Sequence, residues 1–243
     1  MINIIIPFYN EEEIIKHYGD IFFPIIENIE KDYQIKFKYT FINDGSKDDT
    51  YNELIKLKKI YKNINVISYI KNKGMGGALK EGIKGCNENY IITMDSDLTF
   101  RPNDIRTLIN ELNKTSADCI SGSPYLQKNL LKEVDFFRLL LSKTVNLFFR
   151  ILLNEKISCV SPIFRLYKTD CLKSLDIRSN NFEINAEILA KLIISKKTIV
   201  EVPVELHKRE FGNSKINISK EMNNYFRLAK NIIKVKYFNK EWK

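Results

Sequence analysis

The chain has 243 residues, 44% of them hydrophobic and 28% charged, with a formal net charge of +9. That composition belongs to a folded domain with a sizeable core and excludes a disordered or low-complexity chain. Residues 1–120 carry 16 Lys and Arg against 18 Asp and Glu, and residues 121–243 carry 23 against 12. A basic second half points to an anionic partner: nucleic acid, a phospholipid surface or a phosphorylated substrate.

In chain order, the pattern predicts a strand over 2–6, a helix over 11–29, a strand over 36–42 and a helix over 50–61. A strand over 64–69, a short helix over 76–85, a strand over 90–94, a helix over 103–113 and a short strand over 119–121 come next. Short, continuously apolar strands alternating with helices imply an α/β fold with a mainly parallel sheet, helices on both faces. Ligands on such sheets bind beyond the carboxyl ends of the strands.

After about residue 125 the alternation stops. Residues 134–153 are strongly apolar but interrupted by Arg138, Lys143 and Arg150, which suits either an interfacial helix with snorkelling cations or a buried core helix. Then come an irregular stretch over 158–165, a helix over 183–195, a strand over 198–204 and a loop over 207–215. Residues 1–220 read as one domain, and 221–243 as a basic, aromatic-rich amphipathic tail.

Several function classes fall away. No uncharged apolar run reaches the roughly 18 residues a spanning helix needs. The N-terminal apolar run has no basic region before it and does not read as a signal peptide. Cys86, Cys119, Cys159 and Cys171 show no metal-site spacing and read as reduced thiols of a cytosolic protein. His17 and His207 are isolated and read as structural. Gly74-Met75-Gly76-Gly77 lacks the third glycine of a dinucleotide fingerprint, and no phosphate-loop motif occurs. It reads as a tight turn into a helix, with close approach of a nucleotide backbone as the alternative. No nucleic-acid motif accompanies the positive charge, so no nucleic-acid partner is expected.

The chemistry gathers at three predicted strand ends. Asp95 and Asp97 stand at i, i+2 after an apolar strand, a spacing that aims both carboxylates the same way in extended chain. Two such charges repel and raise each other's pKa unless a cation lies between them, and oxygen-only ligands suit Mg²⁺ or Mn²⁺. The alternative is two solvated acids in a loop. Pro7-Phe8-Tyr9-Asn10-Glu11 places an aromatic and an acid after the first strand. After the second strand, Asp44 is placed to accept hydrogen bonds from a nucleobase or ribose, while Ser46 to Thr50 can cap the next helix.

In these motifs the chain resembles the family 2 glycosyltransferases of GT-A fold, and within them the polyprenyl-phosphate branch typified by dolichol-phosphate mannosyltransferase. The resemblance covers residues 1–220 and rests on Pro7–Glu11, Asn43–Ser46, Asn72–Gly74 and Asp95–Leu98, then on Phe164-Arg165, Glu201-Val202-Pro203 and Arg209–Lys215. It implies inverting transfer of a sugar from a GDP- or UDP-sugar to a lipid phosphate at the cytoplasmic or ER membrane face. Pro7, Tyr9, Glu11, Asp44, Asp95 and Ser96 would bind the donor, and Asp95, Asp97 and Thr99 would surround Mg²⁺ or Mn²⁺. Asp97, Arg138, Arg209 and Lys215 would act on the diphosphate and the acceptor phosphate. With no spanning helix, the protein would be peripheral or would lean on an integral membrane partner. The branch carries Gln where Thr99 stands, Arg where Pro124 stands, and Asp and Gly where Cys159 and Ile163 stand. These departures fall on the acceptor side and leave a glycan or other hydroxyl acceptor, or a non-catalytic relative, as alternatives. A hydroxyl acceptor would need a base, for which Glu187 is the later acid at a suggestive position; a structural role is its other reading.

Overall fold

A computed structural model of the protein describes residues 1–127, 129–131, 136–212, 218–238 and 240–242. Within them one seven-stranded sheet runs in the order β3-β2-β1-β4-β6-β5-β7. Its strands are β1 (Ile2–Phe8), β2 (Phe37–Asp44), β3 (Ile64–Tyr69), β4 (Tyr90–Thr93), β5 (Cys119–Ser123), β6 (Arg165–Lys168) and β7 (Ile199–Pro203). The first four strands are mutually parallel, β7 is parallel to β5, and β6 lies antiparallel between β4 and β5.

β1 is apolar on both faces because both are covered. Ile4, Ile6 and Phe8 pack on one face with residues of α1 (Glu12–Ile15), α2 (Tyr18–Ile21), α3 (Phe23–Tyr33), α4 (Thr50–Ile60) and α6 (Ile105–Thr115). Ile5 packs on the other with residues of α5 (Met75–Gly85), α8 (Thr169–Lys173) and α9 (Ile184–Ile194). A third cluster joins α9 to α7 (Phe136–Leu153) and α10 (Ile218–Phe238), where Phe149, Leu152, Leu189, Leu228 and Ile232 are buried together.

The chain leaves β1 toward β2 on one side, and β4 returns on the other. β1 and β4 therefore flank the point where the strand order reverses, which opens a crevice beyond their carboxyl ends.

Two expectations are corrected. The single helix over 11–29 is three helices, α1, α2 and α3, and α3 continues to Tyr33. Pro24 lies in the first turn of α3, where its missing N–H costs nothing but blocks continuation from the preceding turn. The stretch over 158–165, expected to be irregular, ends in β6, a strand the alternation does not reveal.

Arg165 explains why β6 is hidden in the sequence. It is fully buried at a position where an apolar residue would be expected. Its Nε donates to Ser121 Oγ at 3.0 Å, Nη1 to the Asn185 carbonyl at 2.6 Å and Nη2 to the Val160 carbonyl at 2.8 Å. One guanidinium thus ties β6 to β5, to the first turn of α9 and to the loop before β6. Arg165→Met removes three buried hydrogen bonds and is expected to cost about 3 kcal/mol. Urea unfolding should show a lower midpoint at unchanged slope.

Candidate active site

The loops after β1 and β2 are stitched together by reciprocal hydrogen bonds. Asn10, at φ +54°, donates its N–H to Ser46 Oγ at 3.0 Å and accepts the Lys47 N–H on Oδ1 at 2.7 Å. The Glu11 N–H donates to Thr50 Oγ1 at 2.8 Å, and the Asp49 N–H to Glu12 Oε2 at 2.8 Å. The N-cap of α4, Asp49, falls within the Ser46 to Thr50 stretch expected to cap it but makes no side-chain cap bond, and the Ser46 and Thr50 hydroxyls satisfy the β1 loop.

Asp44 is buried at the end of β2. Its Oδ1 accepts the Lys73 N–H at 2.7 Å and its Oδ2 accepts Asn72 Nδ2 at 2.9 Å. Burial pushes this carboxyl up, and the Lys73 and Gly74 N–H groups offset only part of the rise. Gly45, at φ +66°, lets the chain turn there, since a Cβ would lie 2.5 Å from the Asn72 nitrogen.

Beyond β4, Leu98 at φ +54° folds the chain so that the Thr99 N–H donates to Asp97 Oδ1 at 3.1 Å. Tyr18 fixes the same turn by donating its hydroxyl to the Ser96 carbonyl at 2.9 Å. Burial, then the charge of Asp97, push the Asp95 carboxyl well above the usual range, against the pull of Arg209. Arg209 forms an ion pair with Glu11 and has Nη1 3.6 Å from Asp97 Oδ2. Its own loop is held by Arg209 Nε donating to the Phe211 carbonyl at 2.6 Å and by the Phe211 ring stacking on His17 at 4.5 Å. His17 thus has a packing role.

Pro7, Tyr9, Glu11, Asp44, Asp95, Ser96, Asp97, Thr99 and Arg209 all line one cavity of about 920 Å³. Arg138 lies on α7 with its side chain outside the described residues, and Lys215 lies outside them altogether. Among the described residues no group of three or more His, Cys, Asp or Glu could hold a metal ion. Asp95 and Asp97 supply two carboxylates of the kind that Mg²⁺ or Mn²⁺ combines with substrate phosphates, and the repulsion raising Asp95 is what a cation would relieve.

The far wall of the cavity is largely uncharged. Pro124, Tyr125, Cys159, Ser161 and Ile163 line it, with Asn181, Phe182 and Asn185 beside them. Burial raises the Cys159 thiol, so the position where the resemblance implies an acid is neutral here. Glu201 shapes this wall by accepting the Ser158 and Cys159 N–H groups at 2.7 and 3.1 Å. Lys208 and Lys220 line the cavity as well, as does Glu221, whose carboxyl is raised by burial and by Glu183.

Sequence reasoning assigns no role to Asn72, Asn181 or Asn185, all of which reach the cavity. Asn72 at least belongs to the Asn72–Gly74 motif, whereas the other two come from a loop and helix with no strand-end signal. Gly74 lines the cavity, yet both Gly74 and Gly76 pack closely on protein: a Cβ on Gly76 would lie 2.7 Å from the Ser179 carbonyl, and one on Gly74 would collide with the Asn180 carbonyl.

Comparison with known proteins gives a consistent picture. The Glycosyl transferase family 2 model matches residues 3–175. A dolichol-phosphate mannosyltransferase from Pyrococcus furiosus is 29% identical over 94% of this chain, which spans 64% of that protein's length. A polyprenol monophosphomannose synthase from Mycolicibacterium smegmatis is 26% identical over 93% of this chain and 84% of its own. A dodecaprenyl-phosphate galacturonate synthase from Rhizobium johnstonii is 24% identical over 98% and 67% respectively. Among solved structures, glucosyl-3-phosphoglycerate synthase from Mycobacterium tuberculosis, in complex with Mn²⁺, UDP and phosphoglyceric acid, superposes with a TM-score of 0.67 at 16% identity, covering 96% of this chain and 76% of that one. The sheet order and the family match agree that this chain has the GT-A fold and belongs to glycosyl transferase family 2.

Proposed function

We propose that this protein transfers a sugar, with inversion, from a nucleoside-diphosphate sugar to a polyprenyl phosphate. The observation that carries the reading is the convergence of Glu11, Asp44, Asp95, Asp97 and Arg209 in one cavity at the sheet's reversal point. The names of the three relatives all join a sugar to a polyprenyl-type phosphate, although the sugars differ. The donor in this reading is a GDP- or UDP-sugar.

On this reading Asp44, held by Asn72 and the Lys73 N–H, orients the nucleoside through its remaining lone pairs. Asp95 and Asp97 hold Mg²⁺ or Mn²⁺, which when bound would take up negative charge growing on the departing diphosphate. Arg209 bridges Glu11 and Asp97 and brings a guanidinium to the same edge. Thr99 fixes Asp97 through its N–H. A lipid phosphate is already an anionic nucleophile, so no general base is required.

The acceptor lipid implies work at a membrane surface. No helix among the described residues is long and apolar enough to cross one. α7 and α10 pack together yet expose Leu147, Phe148 and Ile151 on one and Phe226, Tyr237 and Phe238 on the other. Exposed Lys143, Arg150, Arg227, Lys230 and Lys234 lie on the same two helices. Apolar side chains among cations suit a peripheral helix pair on anionic lipid, at the cytoplasmic face or beside an integral partner. A hydroxyl acceptor is the second reading, favoured by the loss of charge at Pro124 and Cys159.

Incubation with radiolabelled GDP- and UDP-sugars, Mn²⁺ and polyprenyl phosphate should give metal-dependent lipid-linked product. Asp97→Ala should lower its kcat by about 10²–10³-fold. Neither transfer nor donor hydrolysis with any donor would overturn the reading, and faster transfer to a glycan would favour the second. Asp95→Asn should abolish stabilisation by Mn²⁺ yet raise the melting temperature of the metal-free protein at neutral pH. A carboxyl raised in the folded state costs stability when ionised, so this gain should shrink as the pH falls through the raised Asp95 pKa. Ile151→Glu combined with Phe226→Glu should reduce sedimentation with anionic liposomes without lowering the melting temperature.

A further inference from the structure

Glu187 is the acid the sequence offers as a base, and its surroundings give it different work. It is 1% exposed, on α9, and is not among the residues lining the cavity. Its carboxylate accepts the Arg178 N–H at 3.0 Å, the Ser179 N–H at 2.7 Å and the Lys191 ammonium at 2.6 Å. Burial alone would push this carboxyl up, but the Lys191 and Ser179 contacts outweigh it and hold it below the usual range. A carboxylate so occupied and so acidic is a poor proton acceptor at neutral pH.

The loop it grips reaches the nucleotide end of the cavity. The Asn180 carbonyl accepts the Gly77 N–H at 3.2 Å. Lys80 Nζ donates to the Arg178 carbonyl at 3.1 Å and to Asn180 Oδ1 at 2.7 Å. Gly74 and Gly76 leave no room for a Cβ against the 179–180 backbone. One residue earlier, the Lys73 N–H and the Asn72 side chain hold the two oxygens of Asp44. Each step is a direct contact, and the path runs from a helix beyond residue 175, outside the family match, to the first half of the sheet.

We propose that Glu187 is a positioning residue for the nucleotide end of the site: it holds residues 178–180 against the Gly74–Gly77 turn, and that turn sets Asn72 and Lys73 on Asp44. The inference rests on the donor reading given above. It assigns to the second half of the chain a part in donor affinity in addition to its part in the acceptor wall.

The test compares Glu187→Gln, Lys80→Met and Asp44→Ala in the full chain, by calorimetry with UDP or GDP and Mn²⁺ and by transfer kinetics. Glu187→Gln should weaken nucleotide binding and raise the donor KM by about tenfold, the effect of one lost hydrogen bond, with kcat within about twofold. Lys80→Met loosens the same loop from its exposed side and should raise the donor KM by a smaller factor at unchanged urea stability. If Glu187→Gln does not fold, Lys80→Met decides alone, and an unchanged donor KM overturns the inference. A fall in kcat of about 10²-fold or more at unchanged donor KM would identify Glu187 as a base and overturn it too. If Asp44→Ala weakens nucleotide binding while the other two do not, the Glu187 inference fails and the donor reading stands. If Asp44→Ala has no effect, the donor reading fails and takes this inference with it.

Discussion

Glu11, Asp44, Asp95 and Asp97 gather at one edge of the sheet, and the cost of burying these carboxylates governs what the rest of the fold must bring there. A buried carboxylate is tolerated only with donors or a cation beside it. Glu11 has the Arg209 guanidinium, Asp44 has Asn72 and the Lys73 N–H, and Asp97 has the Thr99 N–H with Arg209 nearby. Asp95 is the least compensated, which is why burial and Asp97 drive its carboxyl so far up. Folding here carries an electrostatic cost concentrated at the place where a dication would relieve it. An α/β sheet suits that arrangement, because parallel strands deliver their ends to one edge and the reversal between β1 and β4 leaves a gap there.

The sequence exposes this edge because its signals are local. Continuous apolar runs announce β1 to β4, and the polar residues that come after each run fall on the same edge by topology alone. The interior of the edge is less legible. Nothing in Ser46 or Thr50 says that their hydroxyls serve Asn10 and Glu11 across 36 and 39 residues, when the local pattern favours a helix cap. β6 is hidden for a related reason. A four-residue strand led by a buried arginine violates the apolar rule, and only the acceptors from β5, α9 and the 160 region make it tolerable. The long helix predicted over 11–29 is first interrupted at Lys16–His17 and then between α2 and α3, where Pro24 is a breaker masked by the apolar periodicity around it.

Glycines show a different ambiguity. The turn into a helix read from Gly74–Gly77 is present, and what the spacing does not reveal is that the 179–180 backbone fills the space left by the missing side chains of Gly74 and Gly76. Close approach of a ligand and close approach of protein need the same residue type, and sequence spacing does not separate them. A loop about 100 residues away does, and its position depends on a carboxylate, Glu187, buried in yet another element.

The two walls of the cavity differ in kind, and the difference bears on the acceptor. The wall formed by the loops after β1, β2 and β4 is charged and fixed by short hydrogen bonds within the parallel half of the sheet. The opposite wall is built from the segments after β5 and before β6 and from the start of α9, and at Pro124, Cys159 and Ile163 it is neutral. An anionic acceptor entering there must find its positive charge elsewhere, and the described cations on the cavity are Lys208, Arg209 and Lys220, all from the segment after β7. That segment leads directly into α10, whose outer face is apolar and basic. On the proposed reading, the charge that meets the acceptor phosphate is therefore carried by the same stretch of chain that meets the lipid surface. Phosphate recognition would then be coupled to membrane contact through backbone connectivity, with no need for the basic residue that the resemblance implies at position 124.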